Sequence, residues 1–213
     1  MKDKRGQLFP YRDTAKRKNF PYVTIALIVI NILIFIWSLF NFEAVINSYG
    51  FIPIAPTIVT IFTSMFLHGG IDHIFGNMWF LWIFGDNVED KFGKLGYILF
   101  YIFAGLVATL VHFLTNLSSN VPAIGASGAI SGVLGAYLVM FPKEKVYVGG
   151  YWGMFPVSAY FMLGLWFVIQ LVFGSISLVG GQGSGVAFWA HVGGFAFGFI
   201  VTYALKAFKI LKV

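Results

Sequence analysis

Residues 21–40 read PYVTIALIVINILIFIWSLF, an apolar stretch without a single charged side chain. About 20 such residues are enough for a helix to cross a bilayer. Pro21 suits the first position of a helix, where its missing backbone N–H breaks no hydrogen bond. The run is longer than the apolar part of a cleaved signal peptide, and no small-residue cleavage site follows it. It therefore predicts a membrane anchor that is not removed.

The rest of the chain has the same character. Of its 213 residues, 59% are hydrophobic and only 10% are charged, whereas soluble domains carry roughly 25% charged residues. A soluble domain of this size exposes too much surface to hide so many apolar side chains. The chain has no cysteine, which excludes disulfide frameworks, thiolate catalysis and cysteine-rich zinc sites. The composition predicts a polytopic membrane protein.

Five further apolar runs predict additional spans. The six predicted spans are residues 21–40, 71–85, 95–114, 128–141, 156–178 and 187–208. We expect an all-α membrane protein with a bundle of six transmembrane helices over residues 21–208. A basic segment at 1–20 precedes this bundle, and a short basic tail at 209–213 follows it.

The positions of the basic residues predict the orientation. All 14 Lys and Arg residues lie at the termini or in the loops after the second and fourth spans, and the loops at 41–70, 115–125 and 179–186 contain none. Because Lys/Arg-rich loops face the cytoplasm, we expect both termini there, with a plasma membrane as the simplest location. The net charge of +6 is then an orientation signal rather than a sign of nucleic acid binding. The N-terminal segment is expected to do no more than bind anionic lipid.

A small set of polar residues lies in or beside the predicted spans, where an unpartnered polar group is energetically expensive. Toward the non-cytoplasmic side these are His68, Asp72, His73, Asn77, Ser127, Ser131 and His191. They share a depth just below the outer surface, as a single site requires. By contrast, we expect the lone amides Asn31 and Gln170 to make ordinary interhelical hydrogen bonds, and His112 to lie at the membrane interface.

The fourth span begins with Gly125-Ala126-Ser127-Gly128. Small neighbours let a backbone approach the serine oxygen, and a helix N-terminus offers free N–H groups and a positive dipole end to a developing oxyanion. On its own this motif is weak, since glycine and serine are common packing residues in membrane helices.

Glycine spacing strengthens it. The fourth span contains Gly128, Gly132 and Gly135. In the sixth span, Gly194 follows His191 by three residues and Gly198 follows Gly194 by four. Small residues at such spacings let two helices pack backbone to backbone. This packing would bring His191 against Ser127, and an imidazole is the base that a serine hydroxyl needs to become a nucleophile. Apart from Asp72 at the start of the second span, no Asp or Glu lies in the spans, so the hypothesis is a dyad, with His73, Asn77 and the Ser127 N–H available to an oxyanion.

These motifs together resemble the rhomboid intramembrane serine proteases, over about residues 66–198. The resemblance rests on His68-x4-His73-x3-Asn77, on Gly125-Ala126-Ser127-Gly128 and on Ala190-His191-x2-Gly194. It implies that Ser127 is the nucleophile and His191 the base, and that His73, Asn77 and the Ser127 backbone form the oxyanion hole. His68, Gly125, Gly128, Ser131 and Gly194 are then supporting residues.

The resemblance also implies the substrates, which are transmembrane proteins cut in or near the bilayer after a small residue. Substrate entry would involve the fifth span and the loop at 179–186, which has four glycines in eight residues. No cofactor and no metal are implied, and no residue pattern indicates an oligomeric state.

Two positions depart from the family pattern. Many members carry a Trp-Arg pair where this chain has Val59 and Thr60, and some carry an aromatic residue at the position of Ser131. Ser131 lies one turn after Ser127 on the same face, so it is a second candidate nucleophile or a hydrogen-bond partner for His191. We favour Ser127 because it lies at the helix mouth. Glu89-x-Lys91 is expected to tie helix ends together.

Three other classes of function compete with a serine protease. A zinc protease is disfavoured because His68 and His73 are five residues apart and no His-Glu-x-x-His occurs. A channel or transporter is disfavoured because the spans lack rows of ionisable residues and paired broken helices. A catalytically silent relative that binds membrane clients would be expected to lack the serine or the histidine, and both are present.

Overall fold

A computed structural model describes residues 9–150, 153–180 and 186–211 of the chain. Its helices are α1 (Tyr22–Ser38), α2 (Phe42–Tyr49), α3 (Ile58–Thr63), α4 (Ile71–Thr115), α5 (Ser127–Met140), α6 (Ala159–Gly180) and α7 (Phe188–Ala207). Short 3₁₀ turns at Leu39–Asn41 and Ser64–Phe66 extend α1 and α3. Three strands are β1 (Phe9–Asp13), β2 (Lys145–Gly150) and β3 (Gly153–Ser158).

Within the described residues, four helical segments are long and apolar enough to cross a membrane. They are Tyr22–Tyr49, Ile71–Thr115, Ala159–Val179 and Phe188–Ala207. Large apolar side chains are exposed along their outer faces, for example Leu33 at 60% and Phe161 at 58%. Such faces are compatible with lipid and not with water. The prediction of an integral membrane protein is therefore confirmed.

The helix α4 is folded back on itself. Gly93 interrupts it with φ 69° and ψ 165°, a left-handed backbone that favours glycine. The fold-back brings Met65, before the first half, into contact with Gly105 in the second half. The two predicted spans at 71–85 and 95–114 are thus the two halves of α4. The predicted loop after residue 85 is wrong, because the helix continues through the charged residues up to the turn at Gly93.

The extra turns of α4 carry a carboxylate that caps α1. Glu89 is buried and accepts hydrogen bonds from the backbone N–H groups of Val23 and Thr24 at 2.9 and 2.8 Å, and from the Thr24 hydroxyl at 2.8 Å. Free N–H groups at a helix N-terminus favour such an anion. The expectation that Glu89 ties helix ends together is confirmed, whereas Lys91 lies over the ring of Phe141.

The all-α prediction is wrong at the basic end of the bundle, where β1, β2 and β3 form an antiparallel sheet in that order. The sheet recruits residues 9–13, which were expected to remain a polar lipid-binding segment. Two contacts hold β1 on the bundle. The Trp79 indole donates to the Pro10 carbonyl at 2.6 Å, and the Tyr137 hydroxyl donates to the Asp13 carboxylate at 2.5 Å.

The sheet also shortens the predicted fifth span. Pro156 lies in β3, on the edge of the sheet, where the missing N–H of a proline is tolerated. The helix α6 accordingly begins at Ala159 rather than at residue 156. On the opposite side of the bundle, Val59 and Thr60, the two positions that depart from the family pattern, lie in α3. The N-terminus of this helix is capped by Thr57, because the side chains of Thr57 and Thr60 each accept a hydrogen bond from the other's backbone N–H.

The short helix α5 occupies the centre of the bundle. Every residue after Ser127 in this helix is buried, so α4, α6 and α7 separate it from lipid. Its 14 residues span only about 21 Å at 1.5 Å per residue, against a hydrocarbon thickness of about 30 Å. The helix is therefore too short to cross the hydrocarbon layer by itself. Its C-terminal end is next to the sheet, where Tyr137 bonds to Asp13, and Ser127 is at the opposite end.

Candidate active site

Ser127 and His191 meet between two helix N-termini. Ser127 is the first residue of α5 and His191 lies in the first turn of α7. The Ser127 Oγ is 2.8 Å from the His191 Nε2, which is hydrogen-bonding distance. Both side chains line a cavity of about 860 Å³. A hydroxyl held against an imidazole inside an open cavity is the geometry that nucleophilic catalysis requires.

Close packing of α5 against α7 sets this distance. A Cβ added to Gly198 would lie 2.6 Å from the carbonyl carbon of Gly132, and one added to Gly194 would lie 3.1 Å from that of Gly128. Gly135 faces α7 in the same way, because its Cβ would lie 2.9 Å from the backbone nitrogen of Phe199. The two backbones therefore touch where the glycine spacing predicted a seam.

Residues 123–125, just before Ser127, form backbone hydrogen bonds to the segment between α1 and α4. Ala123 pairs with Phe51 in an isolated antiparallel bridge, and the Gly125 N–H donates to the Ser64 carbonyl at 2.9 Å. Gly125 has φ 128°, and an added Cβ would lie 2.8 Å from the His73 Nε2. A side chain at residue 125 would thus be strained and would collide with His73, so glycine is required on both counts.

His73 faces Ser127 across the cavity. Its Nδ1 accepts a hydrogen bond from the Gly69 N–H at 3.2 Å, so in the neutral imidazole the hydrogen is on Nε2. The same Nε2 is the atom that approaches Gly125. The His73 Nε2–H is therefore a hydrogen-bond donor beside Gly125, close to the free backbone N–H groups at the start of α5.

Asn77 lines the same cavity one turn further along α4. Its Nδ2 donates to the His73 carbonyl at 2.8 Å, which leaves the second amide hydrogen for another acceptor. Its Oδ1 is buried and has no partner among the described residues. The predicted oxyanion residues thus surround the cavity, although Asn77 also bonds to its own helix.

His68 lies behind His73 and is fully buried. The two rings pack edge to face with centroids 5.1 Å apart. Burial, together with the neighbouring His73, lowers the pKa of His68 to about 4, so this imidazole is neutral. Its ring nitrogens have no partner within the described part of the chain. His68 touches His73 rather than the serine, as a supporting residue would.

Ser131 does not contact His191 through a hydrogen bond. Its Oγ donates to the Ser127 carbonyl at 2.6 Å, a bond from a serine to the residue four positions back in the same helix. The side chain is 1% exposed, and it is absent from the lining of the cavity that Ser127 and His191 share. Of the two serines, only Ser127 meets the imidazole.

Two residues of α6 hold His191 in place, and sequence reasoning gave neither a role in the site. The Gln170 Oε1 is 2.8 Å from the His191 Nδ1. The Trp166 ring packs on the imidazole with centroids 5.9 Å apart and an interplanar angle of 36°. An aromatic ring thus contacts the imidazole from α6, while residue 131 of α5 is a serine. The sequence predicted an interhelical hydrogen bond for this lone amide, and the structure has one, but the sequence did not indicate that its partner is His191.

The remaining expectations concern metals, His112 and the loop at 179–186. Among the described residues, no group of three His, Cys, Asp or Glu side chains could hold a metal ion. His112 lines a smaller neighbouring cavity of about 40 Å³ that also touches Ser127. Most of the glycine-rich loop expected to cap the site, residues 181–185, lies outside the described residues.

Comparison with known proteins gives relatives from bacteria and from eukaryotic organelles. Rhomboid protease GluP of Bacillus subtilis is 31% identical over 144 residues, which are 67% of this chain and 25% of that protein. RHOMBOID-like protein 5 of Arabidopsis thaliana is 31% identical over the same length, with 42% of that protein covered. The mitochondrial rhomboid protein 1 of Saccharomyces cerevisiae is 29% identical over 63% of this chain and 42% of its own length.

The chain thus spans less than half the length of each of these relatives. Because a mitochondrial protein is among them, the expectation of a plasma membrane has no support from the comparison. A family model described as a rhomboid domain matches residues 55–208, which include every site residue discussed above. The chain belongs to the rhomboid family.

Proposed function

We propose that this protein is an intramembrane serine endopeptidase that cleaves transmembrane proteins in or near the bilayer. The observation that carries the proposal is the 2.8 Å contact between the Ser127 Oγ and the His191 Nε2 in an open cavity at the N-terminal end of α5. Relatives in the same family support it, since one of them is named a rhomboid protease.

The reaction would follow the acyl-enzyme pathway. The Ser127 Oγ attacks the carbonyl carbon of the scissile peptide and its proton moves to the His191 Nε2. The carbonyl π electrons move to the oxygen, which accepts hydrogen bonds from the Ser127 N–H, the His73 Nε2–H and the Asn77 amide. The tetrahedral intermediate collapses, and the leaving amine takes the proton from His191. Water then hydrolyses the ester by the same steps, with His191 again accepting and returning a proton.

The membrane topology is part of the same proposal. The helix α1, the two halves of α4, and α5, α6 and α7 would provide six spans over residues 21–208. The segments 1–20 and 209–213 and the sheet would lie on the cytoplasmic side. This arrangement follows from the basic residues, which flank the same ends of these helices. The reactive serine would then lie below the opposite surface, reached by water through the cavity.

The alternative is a relative that binds membrane clients without cleaving them. A matched set of variants in proteoliposomes separates the two functions: S127A, H191A, the double variant and S131A as the control. We expect S127A and H191A each to abolish cleavage of a single-pass model substrate, and the double variant to be no worse, because groups that act as a unit are not additive. S131A should keep its activity. Undiminished cleavage by S127A, or wild-type protein that binds the substrate without cleaving it, would overturn the proposal.

A further inference from the structure

We propose that Gln170 is a positioning residue for the proposed protease reaction, because it selects the tautomer of His191 that can act as a base. The inference rests on the proposed function. Its structural basis is a chain of two hydrogen bonds that run from the amide of α6 through the imidazole of α7 to the hydroxyl of α5. The amide-to-imidazole and imidazole-to-hydroxyl distances are both 2.8 Å.

Gln170 points into the protein from the inner face of α6, while residues beside it in the sequence are exposed on the outer face. Its neighbours Ile169 and Val172 are 40% and 50% exposed, whereas Gln170 is 7% exposed. A primary amide is costly to bury without partners. Its carbonyl oxygen contacts a ring nitrogen 21 residues away in sequence, rather than the carbonyl one turn back in its own helix. The contact therefore joins two helices at the site.

The tautomer argument follows from the inventory of donors and acceptors. A neutral imidazole has one N–H and one lone pair. His191 can take a proton from Ser127 only when the lone pair is on Nε2, so the hydrogen must be on Nδ1. The Gln170 carbonyl accepts a hydrogen bond from that Nδ1–H, which favours the reactive tautomer over the other one. The Gln170 carbonyl also remains an acceptor for the Nδ1–H when His191 carries a second proton during the reaction.

An amide suits this depth better than the carboxylate that orients the histidine in soluble serine proteases. An ionised Asp or Glu inside a span is expensive, whereas an amide supplies an oxygen acceptor without a charge. Trp166, one turn before Gln170, packs against the face of the same imidazole. The helix α6 thus contacts both the ring edge and the ring face of His191, and the hydrogen bond adds the tautomer preference that ring packing cannot give.

The test compares Q170M, which keeps the length of the side chain and loses the acceptor, with Q170E, which keeps the acceptor. In proteoliposomes we expect Q170M to lower kcat about 10²-fold with KM within about twofold, since proton transfer to a positioned base contributes 10²-fold or more. Q170E should restore kcat to within about fivefold of wild type at high pH. Its new charge should move the acid limb of the kcat profile, which a packing role would leave in place.

The matched control is N31L, at another buried amide in a span. The Asn31 Nδ2 donates to the Leu27 carbonyl within α1, so N31L should lower the melting temperature and leave kcat within about twofold. If S127A cleaves the substrate, the proposed function fails. If S127A is inactive while Q170M keeps kcat within twofold of wild type, only the role of Gln170 fails.

A measurement on wild-type protein covers the case in which Q170M does not fold. The ¹⁵N shifts of the His191 ring, assigned by their loss in H191Q, should show a protonated Nδ1 and an unprotonated Nε2 at neutral pH. The reverse assignment would overturn the inference without any activity assay.

Discussion

Replacement of Gly198 by alanine tests whether the α5–α7 seam sets the distance between the proposed nucleophile and base. The new Cβ would lie 2.6 Å from the carbonyl carbon of Gly132 and closer still to its oxygen, whereas ordinary contact begins at 3.4 Å. The partner atoms are backbone, which cannot rotate away, so α7 must shift by about 1 Å. Overpacking of this kind costs about 1–3 kcal/mol, which exceeds the gain of up to about 1 kcal/mol in helix propensity.

Such a shift would act at the site because His191 lies two turns from Gly198 on the same helix. A displacement of about 1 Å lengthens the 2.8 Å bond to nearly 4 Å, beyond hydrogen-bonding range. Misplacement of this size lowers catalytic rates by about 10²-fold. We therefore expect G198A to bind the substrate and to lose about 10²-fold in kcat.

The assay is cleavage of a single-pass fluorescent substrate in proteoliposomes, with the melting temperature recorded for each variant. The control is G164A on α6, where an added Cβ has no neighbour within 4 Å. It gains the same helix propensity without a collision, so its kcat should equal that of wild type. A G198A protein with wild-type kcat would refute the reasoning, since the seam would then not control the distance.

Three further predictions concern the supporting contacts. E89A should lower the unfolding free energy by about 3 kcal/mol, since buried donors lose a charged acceptor. A melting curve checks this against E43A, whose side chain is exposed and whose melting temperature should not change. S131A should keep cleavage within about threefold of wild type, since its hydroxyl bonds only to the Ser127 carbonyl. A larger loss would implicate Ser131 in the chemistry.

The third concerns pH. Burial, and to a smaller extent the charge of Asp86, raises the pKa of Asp13 from 3.8 to about 6. The folded state therefore binds the Asp13 proton more tightly than the unfolded state does, and this binding stabilises the fold. The contribution is complete below about pH 4 and is lost as the pH rises through 6. Hydrogen exchange in β1, corrected for intrinsic rates, should be faster at pH 7.5 than at pH 5 in the wild type. In D13N the corrected exchange rate should not depend on pH. Equal exchange rates at the two pH values in the wild type would contradict a role for Asp13 protonation.

The sequence predicted the membrane helices because hydropathy and charge are properties of single segments. Except at the end of the second run, the apolar runs marked the helices to within a few residues, and the glycine spacing predicted the seam between α5 and α7. The small sheet was missed because its strands have only five or six residues, and because β1 is paired with β2 from more than 130 residues away. Long-range pairing of that kind leaves no local signal. The continuation of α4 past residue 85 was missed because charged residues were equated with a loop.

The two buried amides show where sequence reasoning about the site stops. The expense of a polar group in a span requires that Asn31 and Gln170 each have a partner, and both do. The energetic cost of burial does not indicate which group that partner is. The predicted interhelical bond is wrong for Asn31, which bonds to the Leu27 carbonyl in its own helix, whereas Gln170 bonds to an imidazole that touches a serine. Two residues with the same cost of burial thus differ in chemistry through a single contact, and that contact depends on how α6 rotates against α7. The rotation follows from the packing of both helices, including the Trp166 ring on His191, and cannot be derived from the sequence of α6 alone. Polar residues in membrane spans should therefore be ranked by the reactivity of what they touch.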